Sequence, residues 1–546
     1  MFIAKNTSKH KSGKVYHSVL LRESYREGKK VKKRTIANLS KCSEEEINAI
    51  EIALKNKKTI TQSFNTFELL QGRSIGAVYV LHTIAMELGI VDALGPSFLG
   101  KLALWLIYAR ILEQGSRLSA TRLDKLYDFS SIIELKRGFD ENNLYDCLHW
   151  LDNNQTQIEN NLFDSADKST NFYWYDVTSS YFEGKYNEFA AFGYNRDKKT
   201  KKRIVVVGLL CGDKGNPISI EAFKGNTQDT ETFENQLIKL KDRFGCNSIT
   251  MICDRGLIRD KQKKLIKEYG FHYITALPMP QVLALLKKEI IKIEDFTSDL
   301  KDFNHEKIRY VYRKNPVRAA ESKIQREERY QAAQKKVDKE NFYLIEHPKA
   351  LANLAKDRIS KILKSYCLEE WVTVELEDRR ISLTIDEKNL ETIAKMDGCY
   401  IWTTDLSENE ISTQEIYERY KDLKYIEDDF RTFKTNYLEV RPIFVRSEKS
   451  TRGHLLVTML AHIILRRLRE KWGHLNKTVE EGLSELSTLC RVTIQFSNGQ
   501  KVESLPNPNK GTQELLDALN IVAPKLIKEV QVPVVTRQKT RQAANR

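Results

Sequence analysis

Phe172-Tyr173-Trp174-Tyr175-Asp176-Val177-Thr178-Ser179-Ser180 sets a carboxylate inside a run of aromatic and β-branched side chains. Such a run reads as a strand. Aspartate is depleted in strands, and burying its charge is costly unless a partner or a metal compensates. Asp176 is therefore either a hydrogen-bonded structural residue or part of a site. Whatever this chain folds into must seat that carboxylate in a sheet.

The pattern that follows narrows the fold. Ile204–Cys211 is a continuous apolar strand, Gly212–Asn216 a turn and Pro217–Phe223 a second strand, which together read as a hairpin. Thr230 is placed to cap a helix carrying Phe233, Leu237, Leu240 and Phe244 at helical spacing. Ser248–Cys253 reads as a buried strand that ends in Asp254-Arg255-Gly256, where Asp254 is either a site residue or a turn former. A helix from Arg259 to Tyr269, stopped by Gly270, leads to a strand over Phe271–Leu277. Strands and helices in this order make a mixed α/β sheet, whose strand ends are natural places for a site.

Residues 279–400 interrupt that pattern and are too long for a loop. Gln281–Ile290 and the charged Val317–Lys339 read as helices, and Trp371–Glu375 with Ile381–Ile385 as paired strands. Cys399–Thr404 is a further strand on which Tyr400 and Trp402, two apart, share a face. Ser412 to about Asn436 reads as one long helix. Tyr420, Glu427 and Lys434 lie seven apart on one side of it, as in an ordinary amphipathic helix or in a metal site flanked by phosphate contacts.

Charge bears on the partner. Lys and Arg number 89 against 74 Asp and Glu, a net +15 that favours polyanions. Residues 1–40 are strongly basic, and Val15–Leu21 with Val31–Ile36 would pair across Arg26–Lys29 as a hairpin, to touch DNA or to form a solvated edge ribbon. Ser43 and Glu46 are set as a capping box for a helix to Lys57. The stretch 70–165 reads as mainly helical, as a DNA-binding domain or as a plain bundle. The basic tail residues Arg537, Lys539, Arg541 and Arg546 read as disordered. Eight scattered cysteines lack the spacing of a zinc site or a disulfide framework and suit a reduced compartment. No apolar run is long enough to span a bilayer, and no signal peptide is evident.

Three motifs together resemble a known family. Tyr175-Asp176-Val177-Thr178-Ser179, Cys253-Asp254-Arg255-Gly256 and Tyr420-x-x-Leu423-x-x-x-Glu427 with Lys434 look like the bacterial insertion-sequence transposases of the Asp-Asp-Glu class. The likeness is to the group with a β-strand insertion and a Tyr-Arg-Glu-Lys signature; Leu423 stands where that signature has arginine. The resemblance implies an RNase H-like fold with Asp176 on the first strand, Asp254 after the fourth and Glu427 on the helix beyond the insertion. It implies two Mg²⁺ ions, with Mn²⁺ as a substitute, held by Asp176, Asp254 and Glu427. It further implies DNA contacts through Tyr420, Lys434, Arg431, Arg255, Tyr400 and Trp402, and Lys421, Lys424 or Arg431 is placed to replace the missing arginine. One of the two insertion aromatics would stack on a base flipped out near the cut; alternatively both pack in the core of the insertion. The implied substrates are double-stranded terminal inverted repeats and target DNA. The implied assembly is a homodimer on paired ends, in the cytoplasm at the nucleoid.

The expected organisation is therefore a basic hairpin and helix over 1–65, a helical DNA-end domain over 66–168, and a catalytic domain in two parts, 169–278 and 401–475. A partly β insertion fills 279–400, and 476–546 forms a C-terminal region with a basic tail. Two other readings stay open on the residues: a metal-dependent nuclease without strand transfer, and a DNA-binding protein whose site has decayed.

Overall fold

The computed structural model describes residues 1–10, 13–55, 67–165, 171–197, 199, 201–435, 438–441, 444–496, 501–525 and 534–535. Lys11, Lys57, Asn436 and the tail residues Arg537, Lys539, Arg541 and Arg546 lie outside them. The chain divides into two compact units.

The first unit comprises Met1–Val80, Asp124–Glu134 and Lys471–Gln531. Phe2–Lys9, Val15–Glu27 and Lys30–Asn38 form an antiparallel sheet in that order. The second and third strands pair from Leu20↔Asn38 to Glu27↔Lys30 around Gly28, whose φ of +62° suits the tight turn. The lysines of this ribbon are exposed. Ser43 and Glu46 cap the following helix, Glu44–Lys55, reciprocally. Phe67–Ser74 is a strand, not the helix-rich start expected from 70 onward. Its partner is Cys490–Phe496, more than 400 residues on, which in turn pairs with Lys501–Ser504. Buried Asp128 receives both Arg73, at 2.8 Å, and Arg491, at 2.5 Å, so the ions at the centre of this unit are compensated.

The second unit comprises Leu81–Leu123, Leu135–Glu470 and Val532–Arg546. Its helices Phe98–Leu112 and Glu141–Ser165 bury apolar stripes. Its centre is an eight-stranded mixed sheet. We name its strands in chain order: β1 Phe172–Tyr181, β2 Ile204–Cys211, β3 Pro217–Lys224, β4 Thr250–Ile252, β5 His272–Ala276, β6 Lys301–His305, β7 Ile308–Lys314 and β8 Cys399–Thr404. The spatial order is β6-β7-β8-β5-β4-β1-β2-β3. β1, β4 and β5 run parallel, and β2 is antiparallel to both of its neighbours. Every residue of β2 is buried, as its unbroken apolar run requires of a strand covered on both faces. The core between the sheet and its helices includes Tyr175, Phe233, Leu237, Leu240 and Ile266.

Several local expectations are corrected. Thr230 does not cap the helix after Phe233: it lies inside a 3-10 turn, Asp229–Glu231, capped by Gln228, and the helix begins without a side-chain cap, passing from an α-helical turn over Glu234–Ile238 into a π-helical one over Lys239–Arg243. The segment between β5 and β8 does not keep its strands to itself, because β6 and β7 extend the central sheet through β8. The rest of that segment is mainly helical, with Pro316–Glu346, Ala352–Ser365 and Glu387–Met396 around the hairpin Val372–Glu377/Arg380–Ile385. These pieces share a separate apolar core that includes Val337, Ile359 and Trp371. The long helix expected from Ser412 is two helices, α1 Thr413–Lys421 and α2 Leu423–Lys434. They meet at Asp422, whose ψ of −12° tightens the backbone, and Tyr425 N–H then donates to the Asp422 carbonyl in a three-residue closure.

Candidate functional site

Asp176 sits mid-strand on β1, in register with Leu209 of β2. Its neighbours Tyr175 and Val177 point into the core, which turns its own side chain to the opposite face of the sheet. Asp254 follows the end of β4, and Glu427 lies on the exposed side of α2, whose Ile426 and Phe430 are buried. These three carboxylates, from three elements, line one cavity of about 350 Å³. Tyr400 and Trp402 of β8, Tyr417, Tyr420 and Lys421 of α1, and Leu423 and Lys424 of α2 complete most of its wall.

The electrostatics follow from that convergence. Asp176 is partly buried, and its Oδ1 accepts a 2.8 Å hydrogen bond from the Val177 amide. Burial pushes its pKa up to about 7; Asp254 and Glu427 add to the rise, while the amide and the Arg196 charge oppose it. Asp254 Oδ1 accepts from the Arg255 amide at 2.7 Å and from the Tyr420 hydroxyl at 3.3 Å. Burial first, and then Asp254, raise the Tyr420 phenol well above its ordinary pKa, so it stays protonated as a donor.

The aromatic residues form a connected wall. Tyr400 and Trp402 stack with centroids 6.0 Å apart, and Trp402 meets Tyr417 edge-on at 5.2 Å and Tyr420 at 6.0 Å. Trp402 is only 4 % exposed, against 39 % for Tyr400. Of the expected DNA-contacting residues, Tyr420, Tyr400 and Trp402 lie at the cavity, whereas Lys434, Arg431 and Arg255 are not among its lining residues. Lys434 pairs with Asp197 at 2.8 Å, and the exposed Arg431 pairs with Asp428 at 3.0 Å. Sequence reasoning missed Arg313, Asn315 and Arg318, which the segment between β5 and β8 delivers to the same wall. The alternation Tyr310-Val311-Tyr312-Arg313 was the available signal.

An all-oxygen donor set with mutual repulsion fits a hard divalent cation. Among the described residues, no three His, Cys, Asp or Glu side chains are already gathered closely enough to hold an ion. The carboxylates line the cavity without closing on one point. Among the described residues, no helix is long and apolar enough to cross a membrane.

Comparison with known proteins bears on the family. Residues 3–65 match the IS1634 family transposase N-terminal domain, and residues 167–464 match the transposase DDE domain. No curated protein matches the chain. Among solved structures it is similar to the piggyBac transposase synaptic complex with hairpin DNA, with 8 % identity and a TM-score of 0.36, over 76 % of this chain and 69 % of that one. That structural likeness is too loose to argue from. DDE domains generally use divalent metals and act on DNA. The DDE match spans more than half of the 546 residues, from just before β1 to beyond α2, and the chain accordingly belongs to the bacterial insertion-sequence DDE transposases and is a DNA transposase.

Proposed function

We propose that Asp176, Asp254 and Glu427 are the catalytic carboxylates, and that they hold two Mg²⁺ ions, replaceable by Mn²⁺, during cleavage of the element's ends and their joining to target DNA. The observation that carries this reading is the convergence of the three carboxylates in one cavity. Two such ions, when bound, activate the attacking water or 3′-hydroxyl and stabilise the leaving oxygen of an in-line displacement. The chain's own part is to hold the donors on a rigid frame. β1 and the end of β4 fix two carboxylates, and α2 brings the third. Tyr420 donates to Asp254 and orients it. Tyr400, the more exposed of the two β8 aromatics, offers an aromatic face to a base extruded beside the cut, with Trp402 stacked behind it.

The fold detail supported by the strand order is RNase H-like. β1–β5 stand as 3-2-1-4-5 with β2 alone antiparallel, Asp176 on the first strand and Asp254 after the fourth. In this reading the basic ribbon of the first unit touches the end DNA, and residues 279–400 are an insertion in a catalytic domain split between 169–278 and 401–475. The working form is a homodimer on two ends, because pairing the ends raises the effective concentration of one for the other.

The test uses purified full-length chain, duplexes carrying the inverted repeats that flank the reading frame, and a supercoiled target. Mg²⁺-dependent end cleavage followed by strand-transfer products, from a complex whose light scattering gives two chains per pair of ends, supports the reading. Cleavage without strand transfer reduces it to a nuclease. One chain per paired-end complex overturns the dimer.

A further inference from the structure

We propose that Arg313 binds a DNA backbone phosphate beside the three carboxylates and so positions the substrate for the reaction. This inference rests on the site assignment above. Arg313 lies on β7, directly across from Tyr400 on β8, and lines the same cavity as Asp176, Asp254 and Glu427. Its guanidinium carbon is 5.2 Å from the centroid of Tyr417, a ring that Lys421 also approaches at 5.2 Å. Its Nε is buried and has no hydrogen-bond partner among the described residues. No described residue anchors the guanidinium through that nitrogen, which leaves the group free to turn its donors toward a ligand in the cavity it lines.

Three other arginines near the site have their charge engaged. Arg196 is paired with Asp229, Arg318 with Glu321 at 2.8 Å, and Arg431 with Asp428 at 3.0 Å. Leu423, on the wall of the cavity, supplies no donor. Arg313 thus brings an uncommitted guanidinium fork to a cavity whose charged floor repels DNA. The fork matches two phosphate oxygens, and the Tyr417 ring and the sheet hold it in place. Its origin in the segment between β5 and β8 gives that segment a direct part in seating the DNA, apart from any aromatic stacking.

The experiment compares wild-type chain with Arg313→Gln and Arg313→Lys on end duplexes that each carry one neutral methylphosphonate. Wild-type binding should weaken about tenfold at one position near the cut, and Arg313→Gln should bind the unmodified end about tenfold more weakly. Arg313→Gln should be indifferent to the modification at that position and unchanged in its response elsewhere. Its salt slope should fall by about one counterion. Arg313→Lys should keep the slope but lose single-turnover cleavage rate at saturating DNA, because the ammonium lacks the fork. An Arg313→Gln variant with the wild-type methylphosphonate profile and salt slope overturns the proposal, even if its cleavage falls. Should Arg313→Gln melt early, the Lys variant decides: cleavage equal to wild type overturns the proposal. Glu427→Gln is run alongside. If it cleaves normally, the carboxylate assignment fails, whereas the methylphosphonate footprint judges Arg313 separately.

Discussion

Lys434 and Asp197 are joined by a 2.8 Å ion pair, so the lysine of the Tyr-Leu-Glu-Lys pattern is held by a carboxylate of its own chain. Asp197→Asn should release it and tighten end binding about threefold at low salt, an effect that fades as salt rises. Lys434→Ala should cancel the gain. Equal affinities of wild type and Asp197→Asn across a salt titration would leave the pair a purely structural contact.

Asp176→Asn, Asp254→Asn and Glu427→Gln should each lower end cleavage by on the order of 10³-fold or more, the scale of losing several kcal/mol of transition-state stabilisation. Melting temperature and end affinity should stay near those of wild type. Near-normal cleavage by one variant in Mg²⁺ would remove that residue from the catalytic set.

Acidity should act through Asp176. Its folded pKa, about 7, lies above the unfolded value, so the folded protein binds the extra proton between about pH 4 and pH 7. The metal-free protein should therefore lose stability as pH rises through that window, and Asp176→Asn should flatten the loss. Divalent-cation affinity should rise over the same range, because binding needs the ionised carboxylate. Denaturant melts from pH 4.5 to 8, with and without Mg²⁺, read both effects; a wild-type profile parallel to that of Asp176→Asn would refute them.

Tyr400 and Trp402 should separate. Trp402 is buried among Tyr400, Tyr417 and Tyr420, so Trp402→Ala should destabilise the second unit by about 3–5 kcal/mol. Tyr400 is more exposed, and Tyr400→Ala should leave melting almost unchanged while reducing 2-aminopurine brightening at the extruded base. Full brightening in Tyr400→Ala would assign base handling to another residue.

Deleting residues 1–40 should weaken end binding and reduce its salt slope, since the exposed lysines of the three-stranded ribbon would no longer displace counterions. An unchanged slope would make the ribbon a solvated edge protected by its charge.

What was legible in the sequence was local. β2 falls on the expected residues because an unbroken apolar run bounded by Lys201-Lys202-Arg203 and Gly212 leaves little choice. Asp176 and Asp254 stood out as polar residues in or just after buried strands. Phe67–Ser74 was not legible, because it gains its strand character from a partner far along the chain, Cys490–Phe496, and the short alternation in β7 did not reveal that its partner would be β8. The break at Asp422 was hidden because α1 and α2 continue the same apolar periodicity across it. Arg313 reached the cavity only through the pairing of β7 with β8, which no motif announces.

The addition of β6, β7 and β8 to the sheet beyond β5 also sets a clock. A ribosome that has released Asp254 must make more than 170 further residues before Glu427 emerges, and β8 cannot dock on β5 until the whole intervening segment has been synthesised. At about 5–20 residues per second that interval is roughly 10–35 s. Throughout it the nascent chain carries two of its three cavity carboxylates and an unfinished sheet edge. A chain truncated in that window would lack Glu427 and, on the carboxylate assignment proposed above, would be unable to cut DNA.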